Sequence, residues 1–228
     1  VTLKDLTPKV DFDHPISASK LIQSLGVTKD NGRVISAEML TVSVTEQDFF
    51  VLMDFYNWDW DTMEIANFRI FEKAYLPTAF VKAILKLYKD KTILKGIAEE
   101  AINYMISKNM LNASYGMIVT DIVREIIAYE NDLFQSTKPD LEEAIEKYNK
   151  SIKRFLYYPW GVWVTSYARA NLFSGILACG NDYVYSDTDS IKVLHPEQHM
   201  GYIEQYNRGV MEKLTRAAEF HKLDVSEF

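Results

Sequence analysis

The sequence predicts an α+β fold: a small antiparallel sheet packed on helices, with two long helices projecting from it. Three observations carry that expectation. Residues 33–45 (RVISAEMLTVSVT) alternate and are rich in β-branched side chains, as a half-buried strand is. Two long stretches, one opened by Pro77 and one by Ile97, read as helices and are separated by Gly96. Residues 182–194 place apolar pairs on either side of a polar turn, the pattern of a hairpin.

The remaining elements follow in order. Thr45 is placed to cap a helix through EQDFFVLMDFYN, with Glu46 and Asp48 in its first turn, where acids suit the helix dipole. Residues 58–73 return to strand character through Met63, Ile65, Phe68, Ile70 and Phe71. In the first long helix Phe80, Ile84, Leu87 and Tyr88 form an apolar face; the second runs to about Asn112. Pro139 and Asp140 start a further helix, DLEEAIEKYNKSIKRF, with its acids early and its bases, Lys147, Lys150, Lys153 and Arg154, late. Pro159 and Gly161 open another apolar helix that ends near Gly180. A last amphipathic helix spans roughly residues 199–221.

Composition narrows the class of protein. Among 228 residues, 48% are hydrophobic and 13% aromatic, enough for a packed core and too apolar for a disordered chain. The single cysteine, Cys179, excludes an internal disulfide framework and fits a reducing, cytoplasmic setting. No apolar run approaches the roughly 20 residues of a membrane span, and the charged, proline-broken start does not read as a signal peptide. The net charge of -7 argues against nucleic acid as a partner unless basic residues cluster. They do cluster: Lys73, Lys82, Lys86, Lys89, Lys91 and Lys95 stand against one acid, Asp90. A solubilising surface has the same pattern.

Two strings carry candidate chemistry. In YSDTDS (residues 185–190), Asp187 and Asp189 stand two apart at a turn between apolar strands. Hard divalent cations such as Mg²⁺ take oxygen ligands and need few protein carboxylates when phosphates supply the rest. A rigid turn bearing two carboxylates therefore suits metal-assisted phosphoryl transfer, although Asp, Ser and Thr are also ordinary turn residues. In KNMLNASYG (residues 108–116), Lys108, Asn112 and Tyr115 fall on one helix face. A cation, an amide and a ring in a row can hold a triphosphate, a sugar and a base edge. An ordinary amphipathic helix ending at Gly116 reads the same. His195 and His199 are four apart, a zinc-ligand spacing, but Pro196 separates them and no third ligand is evident.

YSDTDS resembles the YxDTDS signature, motif C, of family B DNA polymerases. KNMLNASYG resembles their motif B, Lys-x-x-x-Asn-Ser-x-Tyr-Gly, and the two occur in the family's order. Between them GVWVTSYAR (residues 161–169) is similar to the helix before motif C in the viral branch that includes protein-primed phage enzymes. YLPTAFVKAILKLYKDKTILKG is similar to the first fingers helix and its tip. The likeness covers about residues 75–193. One departure is Ala113, where the family usually has Ser.

The resemblance implies a DNA-directed DNA polymerase. It would transfer dNTPs to a primer 3′ hydroxyl on template DNA by two-metal chemistry with two Mg²⁺ ions. Asp189 and Asp187 would be the catalytic, metal-holding pair. Tyr185, Thr188 and Ser190 would frame the turn on the primer side. Lys108 would meet the triphosphate, with Lys91 and Lys95 as further nucleotide contacts, and Asn112 and Tyr115 would line the nascent base pair. It implies palm-side strands and a helix over residues 1–74, fingers over 75–116, and over 117–228 a palm with the catalytic hairpin and C-terminal helix. Motif A (Asp-x-x-Ser-Leu-Tyr-Pro) and the exonuclease motifs have no counterpart in the sequence, and no Lys-x-Tyr path to the thumb follows YSDTDS. The expected partners are thus primer-template DNA, dNTPs and the exonuclease, motif A and thumb segments of a parent polymerase, with no membrane. The isolated chain is expected to be inactive. A phage or prophage origin would place it in a bacterial cytoplasm. The alternative is a non-catalytic nucleotide- or DNA-binding remnant of a prophage polymerase.

Overall fold

A computed structural model describes residues 1–152 and 154–228. The chain is α+β, with antiparallel sheets and six α-helices among the described residues. It divides into two compact units: Val1–Leu76 with Trp163–Phe228, and Pro77–Val162.

The first unit is built on a five-stranded sheet of β1 (Thr2–Pro8), β2 (Leu21–Leu25), β3 (Thr28–Asp30), β4 (Arg33–Val42) and β5 (Tyr56–Asn57). The ten-residue β4 is its spine, pairing antiparallel with β1, β2 and β3, while β5 pairs with β1. Helix α1 (Glu46–Phe55) starts at Thr45, which forms a reciprocal capping box with Asp48. Leu3, Val34, Leu40, Leu52, Phe55, Tyr56, Phe173 and Ile176 form the buried core between the sheet, α1 and α5 (Tyr158–Cys179). The Tyr56 hydroxyl enters this core because it donates to the Val34 carbonyl at 2.6 Å.

The second unit holds α2 (Thr78–Leu94), α3 (Ala101–Ile118), a two-stranded hairpin of β6 (Ile126–Glu130) and β7 (Leu133–Thr137), and α4 (Leu141–Lys150). Phe80 of α2 packs its ring on Phe155 and Trp160. The first unit resumes with β8 (Tyr183–Asp187), β9 (Ser190–Val193) and α6 (Met200–His221).

Several expectations need correction. Residues 58–73 do not form a strand; they meet the sheet through an isolated bridge, Thr2 to Glu64, and through the Asp59 N–H, which donates to the Lys4 carbonyl at 3.0 Å. Asp59 explains part of this, since its carboxylate accepts from the Asp61 N–H and the Thr62 hydroxyl and turns the backbone away from a ladder. The second long helix begins at Ala101, after a 3₁₀ turn, and continues past Asn112 to Ile118. The helix begun by Asp140 stops at Lys150, where the Arg154 guanidinium donates to the Asn149 carbonyl. Lys153, read as part of that helix, lies outside the described residues. Between KNMLNASYG and α4 lies the β6–β7 hairpin, an element the sequence reading did not include.

Candidate functional site

The YSDTDS string forms the tip of the β8–β9 hairpin. Asp187 pairs with Ser190, so Thr188 and Asp189 alone make the loop. Thr188 has φ +53, a left-handed conformation that a β-branched residue rarely adopts. Local bonds hold it there. The Asp189 N–H donates to the Asp187 carbonyl at 2.6 Å, and the Thr188 hydroxyl donates to Asp187 Oδ1 at 3.0 Å. The Ser190 hydroxyl donates to the Asp187 carbonyl at 3.1 Å. Asp187, Thr188, Asp189, Ser190 and Tyr185 are all exposed. The tip therefore offers two solvent-facing carboxylates on a tightly bonded turn.

The hairpin root is tied by groups that the sequence did not reveal as partners. The Leu194 N–H donates to the Asp182 carbonyl at 2.8 Å. Both oxygens of the Asp182 carboxylate are engaged: Oδ2 with His199 Nε2 at 2.9 Å and Oδ1 with His195 Nδ1 at 3.2 Å. Those two hydrogen bonds, His199's first, hold the Asp182 carboxyl below its ordinary range. The histidine pair thus serves a carboxylate. Along β8 the Tyr183 hydroxyl lies 3.0 Å from Ser186 Oγ and donates to Asp13 Oδ2 at 3.3 Å.

A second unpredicted cluster fixes α5, the helix before the hairpin. Asp48 accepts from Arg169 Nε at 2.8 Å on Oδ1, and from Arg169 Nη2 and the Ser166 hydroxyl, each at 3.0 Å, on Oδ2. Thr45 Oγ1 also contacts Ser166 Oγ and donates to Asp48. Burial alone would raise the Asp48 carboxyl; the hydrogen bond and charge of Arg169 with the Thr45 bonds outweigh it, and the net shift is downward. Ser166 and Arg169 belong to GVWVTSYAR, and the sequence signal for the cluster was the Thr45–Asp48 cap. Their meeting spans 121 residues, which no local pattern encodes.

In the second unit, Lys108, Asn112 and Tyr115 follow one another at i, i+4 and i+7 on α3. Lys108 and Asn112 are exposed, and Tyr115 is 37% exposed. The Tyr115 hydroxyl donates to the Gly161 carbonyl at 3.4 Å. Gly161 is needed there, because a Cβ would fall 1.9 Å from a Val119 methyl and meet the Tyr115 ring. Lys91 lies over the Tyr88 ring, 5.3 Å from its centroid. Lys95 ends α2, and Gly96 makes the following turn at φ +84. Ala113 is exposed, so its missing hydroxyl leaves no buried gap.

The oxygen-only donors at the hairpin tip fit a hard cation such as Mg²⁺. Among the described residues no group of three His, Cys, Asp or Glu side chains is arranged to hold a metal, so the pair stands alone. No helix among them is long and apolar enough to cross a membrane. Comparison with family models, with curated proteins and with solved structures found no match.

Proposed function

We propose that this chain is the fingers and part of the palm of a family B DNA-directed DNA polymerase, of the viral or phage type. The observation that carries this reading is the hairpin tip. The YSDTDS string stands on a two-residue loop whose strained Thr188 is held by bonds to Asp187, and both carboxylates face solvent. A polar turn with no function has no need of a β-branched residue at positive φ, since Gly or Asn fits there without strain.

In this reading Asp189 and Asp187 hold the metals, and Tyr185, Thr188 and Ser190 border the primer end. Lys108 receives the triphosphate, with Lys91 and Lys95 adding positive charge nearby in the sequence. Asn112 and Tyr115 border the new base pair, Tyr115 being steadied by its bond to Gly161. Two Mg²⁺ ions, when bound, would activate the primer hydroxyl and stabilise the leaving oxygen. The chain contributes one carboxylate pair to that chemistry, and the motif A aspartate comes from another segment. The chain alone therefore does not extend a primer.

The test is reconstitution. Primer-template DNA, dNTPs and Mg²⁺ are incubated with the chain alone, then with a palm segment carrying Asp-x-x-Ser-Leu-Tyr-Pro and a thumb, fused or in trans. Extension is expected only in the second case and is lost in Asp189→Asn. Extension that survives Asp189→Asn refutes the assignment. No extension in any combination, with nucleotide binding retained, favours the non-catalytic remnant.

A further inference from the structure

Helices α5 and α6 of the first unit border a groove of about 310 Å³ that contains none of the residues assigned above. Its lining is chemically selective. The protein has 32 acidic residues against 25 basic, yet no acidic side chain lines the groove and Lys213 does. Tyr202 and Tyr206 stand one turn apart on α6 with nearly parallel rings, 6.3 Å between centroids and 27° between planes. Asn171 and Gln205 bring an amide from each helix. The side chains of Asn171, Gln205 and Lys213 are exposed and engage no partner among the described residues.

We infer that this groove binds a nucleoside phosphate, either a free nucleotide or one unit of a single strand. Each element has a matching part. Tyrosine faces stack a base of any identity. Each of the two amides offers a donor and an acceptor in one plane, as a base edge requires. Lys213 offers a compact cation for one phosphate. A neutral sugar could use the rings and amides but would leave Lys213 without a role. The volume lies at the lower end of small-ligand sites, which suits one nucleotide. The inference does not rest on the polymerase reading, because it uses neither the hairpin nor α3.

Gly209 makes the test clean. Gly209 lines the groove and a Cβ there meets nothing within 4 Å, so Gly209→Leu adds bulk at the groove wall without a clash. Leucine also favours the helix more than glycine does, so the fold is preserved. The 228-residue chain is titrated with dAMP, deoxyadenosine and a single-stranded dA oligonucleotide, following binding by NMR. Binding of dAMP is expected, lost in Gly209→Leu and weakened about tenfold by Tyr206→Ala. Lys213→Gln should bring dAMP down to the affinity of deoxyadenosine and remove the salt dependence. Tighter binding of the oligonucleotide than of dAMP assigns the groove to a strand; equal binding assigns it to free nucleotide. Absence of binding overturns the inference. So does binding that survives Gly209→Leu and Tyr206→Ala, or that is abolished by Lys108→Ala alone, which would put the nucleotide on α3.

Discussion

The two units differ in what holds them. The first buries Leu3, Val34, Leu40 and Ile176 completely and sets the Phe55 ring edge-on to Phe173, with centroids 5.2 Å apart. In the second, among the described residues, Ser107, Ile118 and Gly161 are the buried positions, while Ile102 is 76% and Phe134 79% exposed. A packed core makes a body that opens only with global unfolding, whereas elements with few buried apolar contacts open locally at low cost. The carboxylate hairpin thus grows from the stiffer unit and the Lys108–Asn112–Tyr115 face from the softer one. In the proposed function, metal-holding groups sit on a fixed base and nucleotide-holding groups on an element able to adjust.

The contrast can be broken by mutation. Phe55→Ala should cost about 3–5 kcal/mol, as large core truncations do, and chemical denaturation should show the first unit melting earlier. If it costs under about 1 kcal/mol, the first unit is not the stiffer one. Asp48→Ala should cost about 2–3 kcal/mol through loss of the cap and the charged bonds to Arg169. The same carboxyl gives a pH signature. Its folded value is depressed, so its stabilisation is present above the ordinary carboxylate value near pH 4 and is lost as pH falls through the lower, folded value. Asp48→Asn should flatten that acid slope in thermal melts; an unchanged slope assigns it elsewhere. In the softer unit, Asp140 caps α4 by accepting from the Glu142 and Glu143 N–H groups. Asp140→Ala should cost about 1 kcal/mol, read as faster amide exchange confined to α4.

How much was legible in the sequence follows from how local each signal was. The caps at Thr45 and Asp140 and the polar turn of β8–β9 announce their elements within a few residues, and they lie where expected. Strand β1 is hidden because Leu3 and Leu6 are both buried although three apart. Asp5 between them, at φ +54, breaks the alternation that marks a strand. Hairpin β6–β7 had a readable turn, Asn131-Asp132, with both residues at positive φ as a tight hairpin requires, but the surrounding charges masked it. The strand expected over 58–73 failed for the opposite reason: its apolar pattern was read, but Asp59 turns the backbone off the ladder, and Phe68 and Ile70 beyond it stay 75% and 84% exposed. The two motif faces could be read residue by residue. The clamps at α5 and at the hairpin root, Asp48 with Arg169 and Asp182 with two histidines, join side chains that only the fold brings together.

The central claim is that the hairpin supplies catalysis and α3 supplies nucleotide binding. The most direct measurement is steady-state dNTP incorporation by the reconstituted enzyme with Asp189→Asn and Lys108→Ala compared side by side. Loss of a metal-holding carboxylate should lower kcat about a thousandfold, the several kcal/mol that metal assistance contributes, with KM for dNTP little changed. Loss of the α3 cation should raise KM for dNTP about tenfold and lower kcat less, the worth of one charge-assisted phosphate contact. A kcat unchanged in Asp189→Asn, or effects of the two variants exchanged, would contradict the account.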